Sequence, residues 1–503
     1  MPYSRGRRHR GDQTGRGLGG LGEPLTAGRA RGRGSTAEGG GAARLQPLSR
    51  AGRKTYHGLC RHYGRAVRSR GCMGASMVVE VPYGRGRVRL SVPADRCRVV
   101  GPPRGGRLAE PLAAFRAALD APIASAPLED TAGGARVTVL LDDATRAEPH
   151  DDYARAVLER LVGARSVLGV VATGSHEVMS SGNLAIASRF SAAAAELGVV
   201  HDVMIHDCEE QDGFVCLGET SRHTPVELSR RAMDCDLLVI VSDVKNHYFA
   251  GYSNPVKAIL PGVSSFRSIE RNHALALDER STFGRHPWHP DPGRRTNPVA
   301  EDMVEGAWTA AQGKGVFALA ALTTAKGTLW AGAGSMQEAA AAAFAEVDTF
   351  ASAKVSSTRC LVVSPGGHPQ DETLYNAQRG LELSRNAVRG GGEILFVAEC
   401  SRGTAPTEKA RESFFDRLRS PLDEVIAGLE DGYVLYSHKA YKFAHLIRSL
   451  RAVHMMTELP GEQVEAAHMR TADDPQAIID RWLADYDDEI LIATCANKVA
   501  LYS

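Results

Sequence analysis

The chain has no CxxC pair: its nine cysteines stand apart at 60, 72, 97, 208, 216, 235, 360, 400 and 495. That scatter excludes zinc-ribbon and redox-pair motifs, and it reads as small buried hydrophobes in a reducing cytoplasm. No apolar run approaches the roughly 18–20 residues that a membrane span needs, so no membrane partner is expected. Arg7 and Arg8 are not followed by an apolar segment, so neither a secretory nor a twin-arginine signal is expected. Acidic residues are scarce at first, with 3 Asp and Glu against 16 Lys and Arg in residues 1–76. Beyond them the balance reverses, to 56 acidic against 44 basic residues, which argues against a nucleic-acid-binding core.

Residues 1–76 are rich in Arg and Gly and poor in aliphatic side chains. They bury too little to offset the entropy of ordering, so a disordered basic extension is predicted. Such a tail has the composition of an RNA- or membrane-binding arm. Met77 opens a clean alternating segment, VVEVPYGRGRVRLSVP, and reads as the natural start. A chain of 503 residues is too long for one core. We expect an N-terminal α/β domain over 77–350 and a C-terminal α/β domain over 351–503.

The reason for α/β is a repeated design of apolar strand, polar cluster and amphipathic helix. Arg136–Leu141 leads into Asp142, Asp143, Ala144, Thr145 and Arg146. Ser166–Ala172 leads into Thr173, Gly174, Ser175 and His176, and Asp236–Val241 leads into a loop carrying His247, Lys257 and His273. In the C-terminal half, Cys360–Ser364 and Glu393–Ala398 repeat the design, with further strands expected at Tyr433–Tyr436, Val453–Glu458 and Glu489–Thr494. Gly315–Leu329 reads as one strand ending in a turn at Gly332-Ala333-Gly334, where Gln337 stands in place of the third glycine of a dinucleotide fingerprint. The strands are too continuously apolar for a half-exposed antiparallel sheet. Two doubly wound domains with a cleft between them follow.

Open α/β sheets bind ligands past the carboxyl ends of their strands. Asp143, Arg146, His176, His247, Lys257 and His273 all fall there. Lys257 stands among Val256, Ala258, Ile259 and Leu260, and an amine in apolar surroundings loses charge and becomes a nucleophile or covalent anchor. Imidazoles beside it can move protons or bind a borderline metal. His286 and His289 form an HxxH, but Pro287 and Pro290 prevent a helix from presenting both on one face.

From about Met77 onward the chain resembles the nickel-pincer-nucleotide-dependent lactate racemases. The motifs are DDATR at 142–146, ATGSH at 172–176, HYFAGYSNPVKAILPG at 247–262, the region of His273, NPVAEDMVEGA at 297–307 and LYNAQR at 374–379. The resemblance implies two α/β domains with the active site between them, and a cofactor that is a pyridinium thioacid mononucleotide carrying nickel. It implies that Lys257 anchors the cofactor as a thioamide, that His273 ligates nickel, and that His176 and His247 are the acid/base pair of a 2-hydroxy-acid racemase or epimerase. Asp143 and Thr145 fall to the cofactor. Arg146, Tyr375, Asn376 and Arg379 fall to the substrate, with the guanidinium groups clamping a carboxylate. Proteins that make and insert the cofactor are the implied partners.

The chain departs from the family in its pocket. Asn254-Pro255-Val256 replaces a Gly-rich run before the lysine, and Asn376 and Arg379 stand where the lactate enzyme has Gln and Lys. These changes leave room for a bulkier 2-hydroxy acid or one with a second carboxylate. The alternative function is a binding or accessory protein that has lost turnover on the same scaffold.

Overall fold

The continuous apolar runs form strands whose two faces are both covered. Along Leu237–Asp243 every residue is buried. Leu238 and Ile240 pack into one layer with Leu140 and Val170, while Val239 and Val241 pack into the opposite layer with Val139 and Val171. Each such side chain contributes about 1.5–3 kcal/mol on burial. This explains why the strands show no period-two alternation. The computed structural model describes residues 75–103, 105–146, 150–324 and 326–503, all within one compact unit, Cys72–Ser503. The expectation of disorder for the basic extension therefore lies almost wholly outside the described residues, and Ser76 already belongs to a strand.

The architecture is mixed α/β with two six-stranded sheets. The first runs in the order Gly327–Gly334, Gly315–Thr324, Leu237–Asp243, Arg136–Asp142, Ser166–Ala172, His201–Ile205. All its pairings are parallel except that of the edge strand Gly327–Gly334, which is antiparallel to Gly315–Thr324. The chain starts at Arg136–Asp142, moves outward on one side, and then returns to place Leu237–Asp243 on the other. The switch point therefore lies between these two strands, and their loops carry Asp143–Arg146 and His247.

The second sheet is parallel throughout: Arg470–Thr471, Ala452–Met456, Val388–Val397, Thr358–Val363, Ile490–Ala493, Cys97–Val100. Its edge strand comes from near the start of the described chain. The hairpin Ser76–Tyr83 and Gly86–Pro93 also joins this half, placing Val81 and Leu90 against Val362, Leu395 and Trp482.

Three sequence expectations need correction. Gly315–Gly334 is a hairpin, and the glycines read as a turn end its second strand; the helix that follows starts at Met336, capped by Ser335. Tyr433–Tyr436 is a loop, with Tyr436 at φ 77, rather than a strand. Aromatic β-propensity misled there because the tyrosines point into a site instead of a sheet. His247 ends a short strand, Lys245–His247, paired antiparallel with Gly251–Ser253. Among the described residues no helix is long and apolar enough to cross a membrane.

Candidate active site

Four loops and two helices place the candidate residues on one cavity of about 400 Å³. Asp143, Thr145, Arg146, His176, His247, Lys257, His273, Tyr375, Asn376 and Arg379 all line it. They come from segments more than 200 positions apart, and both halves of the chain contribute.

The loop after Arg136–Asp142 is short and internally bonded. Thr145 Oγ1 donates to Asp143 Oδ1 at 2.6 Å, and Asp143 Oδ2 lies 2.8 Å from His176 Nδ1. Burial pushes the Asp143 carboxyl up, but these partners outweigh it and hold it below the usual carboxylate range. An ionised Asp143 fixes the proton of His176 on Nδ1 and leaves Nε2 to act on a ligand. The His176 loop is tied to the Lys257 loop by the bond from Gly174 N to Gly262 O at 3.0 Å.

The hairpin holding His247 turns at Gly251, whose φ of +77 suits glycine and whose missing Cβ would lie 1.8 Å from Arg285 O. Asn297 staples this turn from below. Its side-chain amide donates to Phe249 O, Thr282 O and Arg285 O, while its oxygen caps the helix Pro298–Ala311. That is a structural account of the Asn-Pro in the 297–307 motif. Asn254 caps the short turn Pro255–Ala258 in the same way and so sets the position of Lys257.

Lys257 Nζ lies 3.3 Å from His247 Nε2. Burial, followed by the charge of Arg146, draws the amine down to about 7. His247 is pushed well below its ordinary value by burial and by Lys257, so it is a neutral base at pH 7. His273 sits in the helix Phe266–Ala274, capped by Ser265. Its Nδ1 faces Asn272 Oδ1 at 3.2 Å, which leaves Nε2 available to a ligand.

From the other half, the helix Leu374–Ser384 is capped by Thr373 and presents Tyr375, Asn376 and Arg379 from its first turns. Arg379 donates to Asn246 O at 2.8 Å, but its buried Nε has no partner. A second cavity of about 510 Å³ adjoins the first and shares Thr145, Arg146 and Arg379 with it. Lys245 and Asn246 line it from the short hairpin that follows the strand Leu237–Asp243 of the first sheet, and His368, Asn497 and Lys498 from loops past the strands Thr358–Val363 and Ile490–Ala493 of the second. Those two strands flank the switch point of the second sheet, so the ligand-binding edges of both sheets meet on this cavity.

Sequence reasoning missed five residues on the first cavity: Tyr248, Phe249, Tyr436, His438 and Lys439. His438 is buried, with Nδ1 2.8 Å from Tyr433 Oη and Nε2 2.9 Å from Tyr248 Oη. Its ring packs against Phe249 and His273. Tyr436 donates to Ser175 O at 2.8 Å and so joins the two halves beside His176. Only the adjacent histidine and lysine of SHKAYK hinted at these positions. The HxxH pair serves packing: His286 lies against Phe344, and His289 stacks on Tyr252 and faces Asp348.

Among the described residues no group of three or more His, Cys, Asp or Glu is arranged to hold a metal ion. A metal beside His273 therefore needs donors that accompany it in a bound group. The site fits such a group. It offers a half-buried amine near neutrality as an anchor, one imidazole with a free nitrogen, and an adjoining cationic chamber.

Comparison with known proteins gives a consistent result. Residues 83–284 match the family described as the lactate racemase N-terminal domain. The lactate racemase of Thermoanaerobacterium thermosaccharolyticum is 24% identical over 333 residues, covering 65% of this chain and 75% of that protein. That of Lactiplantibacillus plantarum is 26% identical over 293 residues, covering 57% of this chain and 65% of that protein. The structure of the lactate racemase apoprotein from T. thermosaccharolyticum superposes with a TM-score of 0.72 at 22% identity, over 85% of this chain and all of that one. A Thermotoga maritima protein superposes with a TM-score of 0.54 at 14% identity, over 79% of this chain and 99% of that one.

Proposed function

Starting from a chain that carries a lactate racemase N-terminal domain and shares the fold of a lactate racemase apoprotein, we propose that it is a 2-hydroxy-acid racemase or epimerase. The observation that carries this reading is the convergence of His176, His247, Lys257 and His273 on one cavity. A protein that only binds a ligand has no need of two acid/base imidazoles beside a neutralised amine.

The group the family implies is the nickel-pincer nucleotide. Lys257 would hold it, His273 would ligate its nickel, and Asp143 and Thr145 would lie along it. When bound, it supplies a centre that takes a hydride from C2 and gives it back. Lys245 and Lys498, in the adjoining cavity, would face its phosphate.

The chain's own residues do the rest. Arg146 and Arg379 clamp the substrate carboxylate, since a guanidinium meets it with two parallel bonds. Tyr375 and Asn376 stand beside that clamp to orient the acid. His247, neutral at pH 7, accepts the hydroxyl proton of one enantiomer. His176, with its tautomer fixed by Asp143, serves the enantiomer bound in the opposite sense. A 2-keto acid is flat at C2, so with Arg146 and Arg379 holding its carboxylate either face could be presented to the bound group, His247 or His176 supplying the proton at the oxygen. Phe249 and Tyr248 supply the apolar part of the cavity lining beside these groups.

The test is a panel of D- and L-2-hydroxy acids deuterated at C2, incubated with cofactor-loaded protein and separated by chiral chromatography. Racemisation with deuterium kept at C2 is expected. Binding without inversion for every acid would favour the accessory-protein reading, and loss of the label to water would replace hydride transfer with proton abstraction.

A further inference from the structure

Lys439 is the residue for which the site has no assigned use. It stands in the first turn of the helix His438–Ser449, whose N-cap Ser437 follows the left-handed Tyr436. The side chain is buried and lines the cavity of His176, His247 and Lys257. Its ammonium donates to Tyr375 O at 2.8 Å, lies 4.0 Å from the centroid of the Tyr375 ring and 5.3 Å from that of Tyr248. Among the described residues no carboxylate pairs with it. Glu382 is the acid whose charge reaches it, and that carboxylate already pairs with Arg385 at 3.3 Å and accepts from Gln378 at 3.3 Å. Arg379, half-buried, likewise has no carboxylate partner among the described residues, and its Nε lacks any partner.

A buried cation without an anion is expensive, and aromatic faces offset only part of that cost. Both therefore ask for a ligand that brings negative charge, and one carboxylate does not reach both roles. The single carboxylate of a short 2-hydroxy acid answers Arg146 and Arg379. It leaves Lys439 facing what would be an apolar substituent, and an ammonium is a poor neighbour for a methyl group.

We propose that Lys439 is a specificity residue that receives a second anionic group on the substrate, so that the preferred substrates are 2-hydroxy acids bearing a second carboxylate. The 2-hydroxy-acid part rests on the racemase reading; the second-carboxylate part rests on Lys439. Burial, followed by the charge of Arg379, holds the Lys439 amine near about 7. An incoming carboxylate reverses that balance, so diacid binding takes up a proton at this site.

The test uses the full chain as wild type, Lys439→Met and Lys439→Arg, with calorimetric titration of succinate, propionate and inorganic phosphate at pH 7.5 in buffers of different ionisation enthalpy. Neither acid carries a hydroxyl, so binding is read without turnover. Wild type binds succinate at least tenfold more tightly than propionate and takes up protons as it does so. Lys439→Met loses the tenfold preference and the proton uptake while propionate binding changes less than twofold, and Lys439→Arg restores the preference. Removing a lone buried charge is not expected to unfold the protein, and an unchanged circular dichroism spectrum checks this. Equal affinity of wild type for both acids overturns the proposal, as does an equal loss for both in Lys439→Met. A loss confined to phosphate moves Lys439 to a nucleotide phosphate and also overturns it. Succinate selectivity without racemisation of any acid would sink the racemase reading and leave this site standing.

Discussion

Lys257 Nζ lies within hydrogen-bonding reach of His247 Nε2, at 3.3 Å, in a cavity where both groups are drawn toward their neutral forms. One bond cannot join two cations, so at least one partner stays unprotonated. That makes Lys257 a nucleophile at neutral pH, where a solvated lysine near 10.4 holds less than about 0.1% free base. Labelling of the cofactor-free protein with a small amine-reactive acyl reagent should modify Lys257 with a midpoint near pH 7. Peptide mass spectrometry across pH 5–9 checks this, and a Lys257 rate still rising tenfold per unit above pH 8 would contradict it.

Asp143 acts on His176 through one 2.8 Å contact. Asp143→Asn keeps the shape and removes the charge that selects the tautomer. Turnover in both directions is expected to fall by about 10²-fold or more, with substrate affinity nearly unchanged. Steady-state kinetics on the loaded enzyme decides this; a rise in KM at constant kcat would make Asp143 a binding residue only.

The two imidazoles are assigned to opposite enantiomers. His176→Gln should therefore abolish racemisation yet leave one enantiomer able to form 2-keto acid in a single turnover, and His247→Gln should leave the other. Rapid quench and trapping of the keto acid measures it. Equal loss for both enantiomers in both variants would mean that the histidines work as one unit.

Much of this site is legible in the amino-acid sequence, because polar clusters directly follow buried apolar runs. Asp143, His176 and His247 each lie within a few residues of a strand's carboxyl end, where a parallel sheet must place its ligand. Lys439 and Lys442 are not legible in the same way. Their i, i+3 spacing reads as one wet face of a helix, yet both are buried, with Lys442 donating to Ser281 O at 2.8 Å. The reason lies in tertiary context, since the helix enters the cavity wall and its polar tips find carbonyls there. The strand expected at Tyr433–Tyr436 is absent for the same reason: its aromatic residues serve His438 and Ser175 through their hydroxyls.

Those buried lysines predict a pH dependence of stability. Lys439 is held to about 7 and Lys442 to about 8, both by burial first, against an ordinary value near 10.5. Between those values the unfolded chain carries protons that the folded chain does not, so raising the pH favours the fold. The cofactor-free protein should become more stable from pH 7 to about 8.5, and Lys442→Met should flatten the rise. Above about pH 9 the buried thiols of Cys360 and Cys400, both pushed up to about 12, act with the opposite sign. Urea midpoints across this range test it, and a steady fall from pH 7 upward would contradict it.

Gly251 is the backbone position on which His247 depends. Gly251→Ala forces a Cβ onto Arg285 O at a positive φ. A loss of about 1–3 kcal/mol is expected, with a displaced His247. Denaturant unfolding measures the first, and loss of inversion in protein that still folds measures the second. A stable, fully active alanine variant would show that the hairpin does not set the site.

Whether Lys257 carries the cofactor is decided by the intact mass of the chain made together with the cofactor pathway, followed by peptide mapping and metal analysis. A single adduct on Lys257 with about one nickel per chain is predicted, both absent from Lys257→Ala and the nickel alone reduced in His273→Ala. An unmodified Lys257 in protein that nevertheless racemises a 2-hydroxy acid would contradict it.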